Sequence, residues 1–113
     1  MKILVLGASG MIGQTMFRVL AQHPGWQVTG AVRGQPYQGI GPGAVLGGYD
    51  LCNSDHVTRL FLQAKPQVVV NCVGLTKHLP EGNQPIPALT TNALLPHRLA
   101  EQCAIAGARL IHV

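Results

Sequence analysis

Three glycines near the amino terminus restrict the fold of this chain more than any other feature. Gly7, Gly10 and Gly13 follow the apolar run 2–6 and open a segment, 11–22, with helical spacing of apolar residues. A buried strand that turns sharply at a glycine and enters a helix is the first unit of a β-α-β fold. In the helix, the spacing places Ile12, Met16, Val19 and Leu20 on one face, which we expect to pack on the sheet.

The rest of the chain continues this alternation. Apolar residues make up 47% of the sequence and charged residues 11%, which is ample for a buried core. The apolar runs predict further strands at 26–32, 44–46, 67–73 and 109–113. Helices are predicted from a cap at Asn53 or Ser54 to Ala64, and over 88–106 with an interruption or kink at Pro96. The pattern predicts one α/β domain, 1–113, with a doubly wound parallel sheet of strand order 3-2-1-4-5.

Composition excludes several classes of protein. The three cysteines form no Cys-x-x-Cys pair and the five histidines are scattered, so we expect no metal site and a reduced, cytoplasmic location. No run approaches the roughly 20 apolar residues of a membrane span, and the apolar start is too short for a secretory signal. The net charge of +4 comes from basic residues that form no cluster, which argues against nucleic-acid binding.

The glycine-rich turn predicts a phosphate-binding site. The free N–H groups and the partial positive charge at the start of a helix favour a diphosphate, and the second glycine lets backbone amides approach it. No Gly-Lys-Ser/Thr follows, which excludes a Walker-type loop. A structural turn without a ligand is the alternative. The candidate residues are Gly7, Ala8, Ser9, Gly10, Met11, Ile12 and Gly13.

Arg33 indicates which dinucleotide this turn takes. Sites for NAD usually have an acidic residue after the second strand, but this chain has none before Asp50 and has Arg33 there. A guanidinium can pair with the 2′-phosphate of NADP, so we expect NADP as the cofactor. A solvated arginine at a strand end is the alternative.

Residues after the third and fourth strands complete the predicted site. Asp50 can accept a hydrogen bond from the adenine amino group while Leu51 packs on the ring, although a turn or capping role for Asp50 explains it nearly as well. Cys72, Val73 and Gly74 follow the fourth strand near the point where strand order reverses, and Thr76 can reach a ribose or phosphate oxygen. Cys72 is read as a small buried residue and not as a nucleophile.

Together these motifs resemble the extended short-chain dehydrogenase/reductase family. Gly7-x-x-Gly10-x-x-Gly13 is similar to its cofactor motif, Asp50-Leu51 to its adenine-site pair, and the run 71–74 to the stretch after its fourth strand. The segment 91–100 is similar to a helix of sugar-nucleotide reductases and epimerases, which implies a cofactor-binding role for Asn92. Within the family the chain is most similar to the dTDP-4-dehydrorhamnose reductases.

That resemblance implies an activity and a missing part. It implies a parent oxidoreductase that uses NADPH to reduce a 4-keto group on a nucleotide-linked deoxysugar. Neither Tyr37 nor Tyr49 has a lysine four residues on, so no Tyr-x-x-x-Lys pair is present and no catalytic residue is assigned. We expect the chain to be the amino-terminal part of a longer enzyme, truncated after strand 5, and inactive alone.

Three further expectations follow from this interpretation. An uncovered edge on the fifth strand predicts self-association, or a longer parent that covers it. The nucleotide-sugar substrate would be the partner of the intact parent. Two other readings stay open: the front half of a nucleotide-sugar epimerase or dehydratase, and a non-catalytic NADP-sensing module of the atypical short-chain type.

Overall fold

The computed structural model of the protein describes residues 1–35, 44–73 and 95–113. The helices and strands alternate as predicted, with strand bounds that agree to within two residues. In chain order they are β1 (Lys2–Leu6), α1 (Met11–Ala21), β2 (Gln27–Ala31), β3 (Ala44–Leu46), α2 (Ser54–Ala64), β4 (Val68–Asn71), α3 (Leu95–Ala106) and β5 (Arg109–His112). The part of the last predicted helix before Leu95 lies outside the described residues.

The strands form one parallel sheet in the order β3-β2-β1-β4-β5, which confirms the predicted topology. The central strand β1 lies between β2 and β4, with Val5 opposite Gly30 on one side and Val70 on the other. A parallel sheet covered on both faces needs continuous apolar strands, and residues 3–6 are accordingly almost fully buried. The reversal of strand order therefore lies between β1 and β4, at the carboxyl ends of the strands.

The sheet has a helix layer on each face. α1 covers one face, where Phe17 is fully buried against a cluster that includes Val5 and Val28. α2 and α3 cover the other face, where Leu60 and Leu99 pack with residues of β1 and β4. Since alternate strand residues point to opposite faces, β1, β2, β3 and β4 contribute to both clusters. Both layers thus rest on β1, so the glycine turn after β1 is held between them.

The apolar face of α1 agrees with the prediction in part, since Met16 and Leu20 are partly buried and pack against the core as predicted. Gly13 and Phe17 are buried toward the sheet, whereas Ile12 and Val19 are 57% and 59% exposed. The physical reason is the glycine. Because Gly13 has no Cβ, this side of α1 can pack directly on the backbone of Gly7 and Ala8, just after β1, and it therefore faces inward. Ile12 and Val19 instead line an apolar surface groove together with Met11, Thr15 and Met16.

The ends of α2 and α3 follow their sequence signals. The Asn53 side chain caps α2, which confirms one of the two predicted caps, and accepts hydrogen bonds from the N–H groups of Asp55 and His56. α2 ends at Lys65, whose backbone is left-handed (φ 46°). Gly107 has φ 70° and ends α3, as expected of a C-terminal glycine. Among the described residues no helix is long and apolar enough to cross a membrane.

Candidate functional site

The glycine turn leaves β1 at the point where the strand order reverses. Gly7 has φ 75°, a region that favours glycine, and its N–H donates to the carbonyl of Ala31 at the end of β2 (3.2 Å). A Cβ on Gly7 would lie 3.1 Å from the carbonyl group of Cys72, just after β4. The turn is therefore packed between the carboxyl ends of β2 and β4, and only a residue without a side chain fits this backbone.

Gly13 sets how closely α1 approaches the turn. A Cβ at this position would lie 1.9 Å from the carbonyl oxygen of Gly7 and 2.7 Å from its carbonyl carbon. Because both atoms belong to the backbone, a side chain here would force the whole helix away from β1. The first turn of α1 therefore sits directly above Gly7, as the role of the third glycine predicts.

The amino-terminal end of α1 has open hydrogen-bond donors. Gly10 is the N-cap, with φ −74° and ψ 169°, and no side chain caps the helix or places an acid in its first turn. Among the described residues, no hydrogen-bond acceptor is recorded for the N–H groups of Met11, Ile12 and Gly13. Ser9, Gly10 and Met11 are exposed beside these amides. This end of the helix thus offers several donors and a partial positive charge to an anion.

Arg33 follows β2 and lies at the same edge of the sheet. Its side chain is exposed, two residues beyond the last residue of the strand. The connection after β2 is tied to the one after β3, because the N–H of Gly48 donates to the carbonyl of Gly34 (3.0 Å). Arg33 is therefore placed on the β2–β3 side of the glycine turn.

Asp50 and Leu51 follow β3 at this edge too. Leu51 packs partly buried against the cluster beneath α2 and α3. Asp50 is half-buried, and its Oδ1 accepts from the N–H of Cys52 (3.0 Å) in a tight turn. Asp50 therefore has the turn role that was one of the two predicted for it, and this bond occupies Oδ1. In the described part of the chain no partner is recorded for Oδ2.

The segment after β4 lies against the other side of Gly7. Cys72 donates its N–H to the carbonyl of Leu6 (3.0 Å), and burial raises the pKa of its thiol. A raised pKa lowers the thiolate fraction, which agrees with a packing role and not a nucleophilic one. Val73 packs its side chain within contact distance of Gly7. Gly74, Thr76 and Asn92 lie outside the described residues, so their assigned roles remain predictions.

Asn71 is a buried polar residue whose partners the sequence did not indicate. Its Oδ1 accepts from the N–H of Val73 (3.0 Å), and its Nδ2 lies 3.2 Å from Nδ1 of His112 at the end of β5. Within the described ranges no buried side-chain nitrogen or oxygen lacks a partner. An asparagine that ends an apolar strand signals such bonds, since a buried amide must be satisfied. The hydrogen bonds of Asn71 hold in place the segment that borders Gly7.

Sequence reasoning also missed two residues beside Asp50. Nδ1 of His56 accepts from the N–H of Asp50 (2.9 Å), and a guanidinium nitrogen of Arg98 donates to the carbonyl of Cys52 (2.8 Å). Arg98 lies 46 positions from Cys52 in sequence, so no local pattern could have found this contact. No group of metal-ligating side chains is found in 1–35, 44–73 and 95–113.

The site therefore brings together the turn after β1, the segment after β4 and the connections after β2 and β3. The sequence profile described as the NAD dependent epimerase/dehydratase family matches residues 3–113. The chain belongs to the NAD-dependent epimerase/dehydratase family. This confirms the resemblance to the extended short-chain dehydrogenase/reductases.

A reductase of similar sequence illustrates this family membership. A dTDP-4-dehydrorhamnose reductase of Mycolicibacterium smegmatis is 31% identical over 112 residues, which is 99% of this chain and 29% of the relative. The chain thus spans less than a third of that protein's length. The sequence similarity therefore covers nearly all of this chain but only part of the relative.

Solved structures share the fold. The UDP-glucose 4-epimerase of Thermus thermophilus in complex with NAD superposes with a TM-score of 0.81 at 23% identity, over 97% of this chain and 36% of that one. A hypothetical dTDP-4-dehydrorhamnose reductase from Sulfolobus tokodaii superposes with a TM-score of 0.77 at 21% identity, over 99% of this chain and 38% of that one. These likenesses show that the chain has a fold of the Rossmann type.

Proposed function

We propose that this chain is the NADP-binding part of an oxidoreductase that reduces a 4-keto group on a nucleotide-linked deoxysugar. The observation that carries the proposal is the open amino-terminal end of α1. The N–H groups of Met11, Ile12 and Gly13 have no recorded acceptor among the described residues, and no side chain takes their place. A diphosphate oxygen would satisfy them and would interact favourably with the helix dipole.

The residues present fit a nicotinamide dinucleotide. A Cβ at Gly7 or Gly13 would meet backbone atoms, so these glycines allow the close packing of the turn and α1, while Gly10 has no side chain to cover the helix amides. The relative from Mycolicibacterium smegmatis is named for a reductase, and the Thermus thermophilus epimerase binds NAD. A bound nicotinamide supplies the hydride chemistry of this family. The chain's own residues would bind the diphosphate and orient the two halves of the cofactor around the edge of the sheet.

Arg33 supports NADP over NAD. Arg33 follows β2, is exposed and precedes Gly34, whose carbonyl accepts from the N–H of Gly48. From this position a guanidinium can pair with a 2′-phosphate. Before Asp50 the sequence has no carboxylate to accept a bond from a free 2′-hydroxyl or to repel that phosphate. Asp50 would accept a hydrogen bond from the adenine amino group, with Leu51 against the ring.

Calorimetric titration with NADPH and NADH tests this proposal. We expect the wild-type chain to bind NADPH about tenfold or more tightly than NADH, because a guanidinium–phosphate pair is a strong charge-assisted bond. Arg33→Ala should weaken NADPH alone and bring the two affinities together. Arg33→Lys is the matched control that keeps a charge but loses the bidentate geometry, and it should lie between the two. An Arg33→Ala variant with unchanged NADPH affinity would contradict the NADP assignment.

A nucleotide-sugar epimerase or dehydratase is the second candidate. It is favoured by the likeness to an epimerase that binds NAD. Tight binding of NAD by the wild-type chain, with no preference for NADPH, would support this candidate over the reductase. A non-catalytic NADP-sensing module would share the NADPH preference. Assay of the longer parent protein for reduction of a dTDP-4-keto-deoxysugar separates the reductase from the sensor.

A further inference from the structure

The turn that follows β3 has a rigid internal structure. Oδ1 of Asp50 accepts from the N–H of Cys52 (3.0 Å), and the carbonyl of Asp50 accepts from the N–H of Asn53 (2.9 Å). These two bonds fix the shape of the turn and point one carboxylate oxygen back into it. They do not fix where the turn lies relative to the rest of the molecule.

Two side chains from outside the turn fix that position. His56, on the first turn of α2, accepts from the N–H of Asp50 through Nδ1 (2.9 Å). Arg98, on α3, donates to the carbonyl of Cys52 (2.8 Å). The turn is thus bonded to both helices that cover this face of the sheet, once at each end.

The ring of His56 is itself held in place. It is half-buried, and the ring of Tyr49 meets it edge to face with centroids 6.3 Å apart and planes at 84°. The hydroxyl of Tyr49 donates to the side chain of Gln63, further along α2. Because Nδ1 accepts a bond, the neutral ring has its proton on Nε2. Neither His56 nor Arg98 is needed to cap α2, since Asn53 does so.

We propose that His56 and Arg98 are positioning residues that determine how well the site distinguishes adenine from other purines. The inference rests on the proposed function, in which the free oxygen of Asp50 accepts from the adenine amino group. That bond requires a separation of about 3 Å and good alignment, so a shift of the turn by about 1 Å weakens it sharply. A purine with a carbonyl in place of the amino group would face the carboxylate with two acceptors and be rejected.

The test compares the binding of ADP and of inosine diphosphate to the 113-residue chain by calorimetry. The two probes share the diphosphate and ribose and differ only in the base, so their affinity ratio reports on the base contact alone. We expect wild type to prefer ADP by about tenfold, the effect of one charge-assisted hydrogen bond. Asp50→Asn is the reference variant and should remove the preference.

His56→Ala and Arg98→Met should each reduce the ratio to about threefold or less, while the affinity for inorganic pyrophosphate stays unchanged. His56→Asn is the matched control, because its amide oxygen can take the place of Nδ1 and should restore the ratio. Arg98→Lys keeps a donor, so it is the matched control for Arg98→Met and should keep most of the wild-type ratio. In an Asp50→Asn background, His56→Ala should have no further effect on the ratio, whereas a merely structural role would lower the affinity for both probes.

The outcomes separate the two proposals. If wild type binds neither diphosphate, the proposed dinucleotide function fails. If wild type binds both with equal affinity, Asp50 does not select the base and the positioning role is overturned. If wild type prefers ADP and both His56→Ala and Arg98→Met keep the full ratio, the positioning role is overturned while the proposed function stands.

Discussion

The amino-terminal ends of α1 and α2 differ although the two helices are alike in most respects. Both are 11 residues long, and both follow the carboxyl end of a strand. α2 is capped by the side chain of Asn53 and has Asp55 in its first turn. The N-cap of α1 is Gly10, and this helix has neither a capping side chain nor an acid in its first turn. The groups that stabilise a helix end are present at α2 and absent at α1.

This difference indicates what each helix end is for. A side-chain cap and a first-turn acid satisfy the free amides and complement the dipole, which stabilises the helix by about 1 kcal/mol. At α2 that stabilisation holds the helix that carries His56 beside Asp50. At α1 the same groups would occupy the donors that we propose bind the diphosphate. Three substitutions and one labelling experiment break or sharpen this comparison.

Gly13→Ala should have the largest effect. Its Cβ would lie 1.9 Å from the carbonyl oxygen of Gly7, so α1 must move away from β1. A displacement of about 1 Å is enough to reduce binding roughly a hundredfold, and the strained packing should cost about 1–3 kcal/mol of unfolding free energy. Calorimetry with NADPH and chemical denaturation measure the two effects.

Gly25→Ala is the control for that substitution. A Cβ there would meet only the ring of His23, at 3.4 Å, in the connection between α1 and β2 at the opposite edge of the sheet. It should leave NADPH affinity unchanged. Equal binding by wild type and a folded Gly13→Ala variant would contradict the close-approach role of this glycine.

Gly10→Asp transfers the α2 arrangement to α1 and should have the next largest effect. The backbone at Gly10 is extended, and a Cβ there would meet only the carbonyl oxygen of Gly7, at 3.4 Å, so the side chain fits. The carboxylate should accept from the free amides and raise stability by a few tenths of a kcal/mol. It should also repel the diphosphate and weaken NADPH about tenfold or more.

Gly10→Asn separates the cap from the charge, since it supplies the same acceptor without the negative charge. Its NADPH affinity should lie between wild type and Gly10→Asp. If both variants gained stability and bound NADPH as wild type does, the amides at this helix end would not be the diphosphate site.

The reverse change at α2, Asn53→Ala, should affect stability and not the diphosphate. Loss of the bonds to Asp55 and His56 should lower the unfolding free energy by about 1 kcal/mol, and the affinity for pyrophosphate should change by less than about twofold. Asn53→Ser keeps a capping oxygen and should recover the stability. A tenfold loss of pyrophosphate affinity in Asn53→Ala would show that the two helix ends are not independent.

How much of this contrast the sequence predicts depends on the range of the interactions. The cap at Asn53, the glycine turn and the strand order were all predictable, because each depends on neighbouring residues or on continuous apolar runs. The inner face of α1 was predictable only in part: the spacing found Met16 and Leu20, but Gly13 allows a contact that apolar spacing does not reveal. The His56 and Arg98 contacts were not predictable, since they form only when α2 and α3 pack beside the turn.

The smallest expected effect concerns the thiols beside the two helix ends. Burial raises the pKa of Cys72 and of Cys103 above the ordinary value of 9.0, so both are mostly protonated at pH 8. Cys52, near the start of α2, is exposed. Since the thiolate is the reactive form, iodoacetamide at pH 8 should label Cys52 first, and the rate at Cys72 should still be rising above pH 9. Peptide mass spectrometry follows each site.

Because Cys72 lies beside Gly7, saturating NADPH should slow its labelling by about threefold. Cys103 is on the buried face of α3, in the core and away from the glycine turn, and is the internal control. Labelling of Cys72 ahead of Cys52 at pH 8 would contradict the lower reactivity expected of its half-buried thiol.

Titration of the ¹⁵N-labelled chain with inorganic pyrophosphate, followed by amide chemical shifts, tests the central claim most directly. Pyrophosphate has no base or ribose, so it reports on the diphosphate contact alone. We predict that the largest saturable shifts fall on the amides of Ser9, Met11, Ile12 and Gly13, with those of Asp55 and His56 unmoved. Saturable shifts elsewhere, with the start of α1 unchanged, would contradict the account.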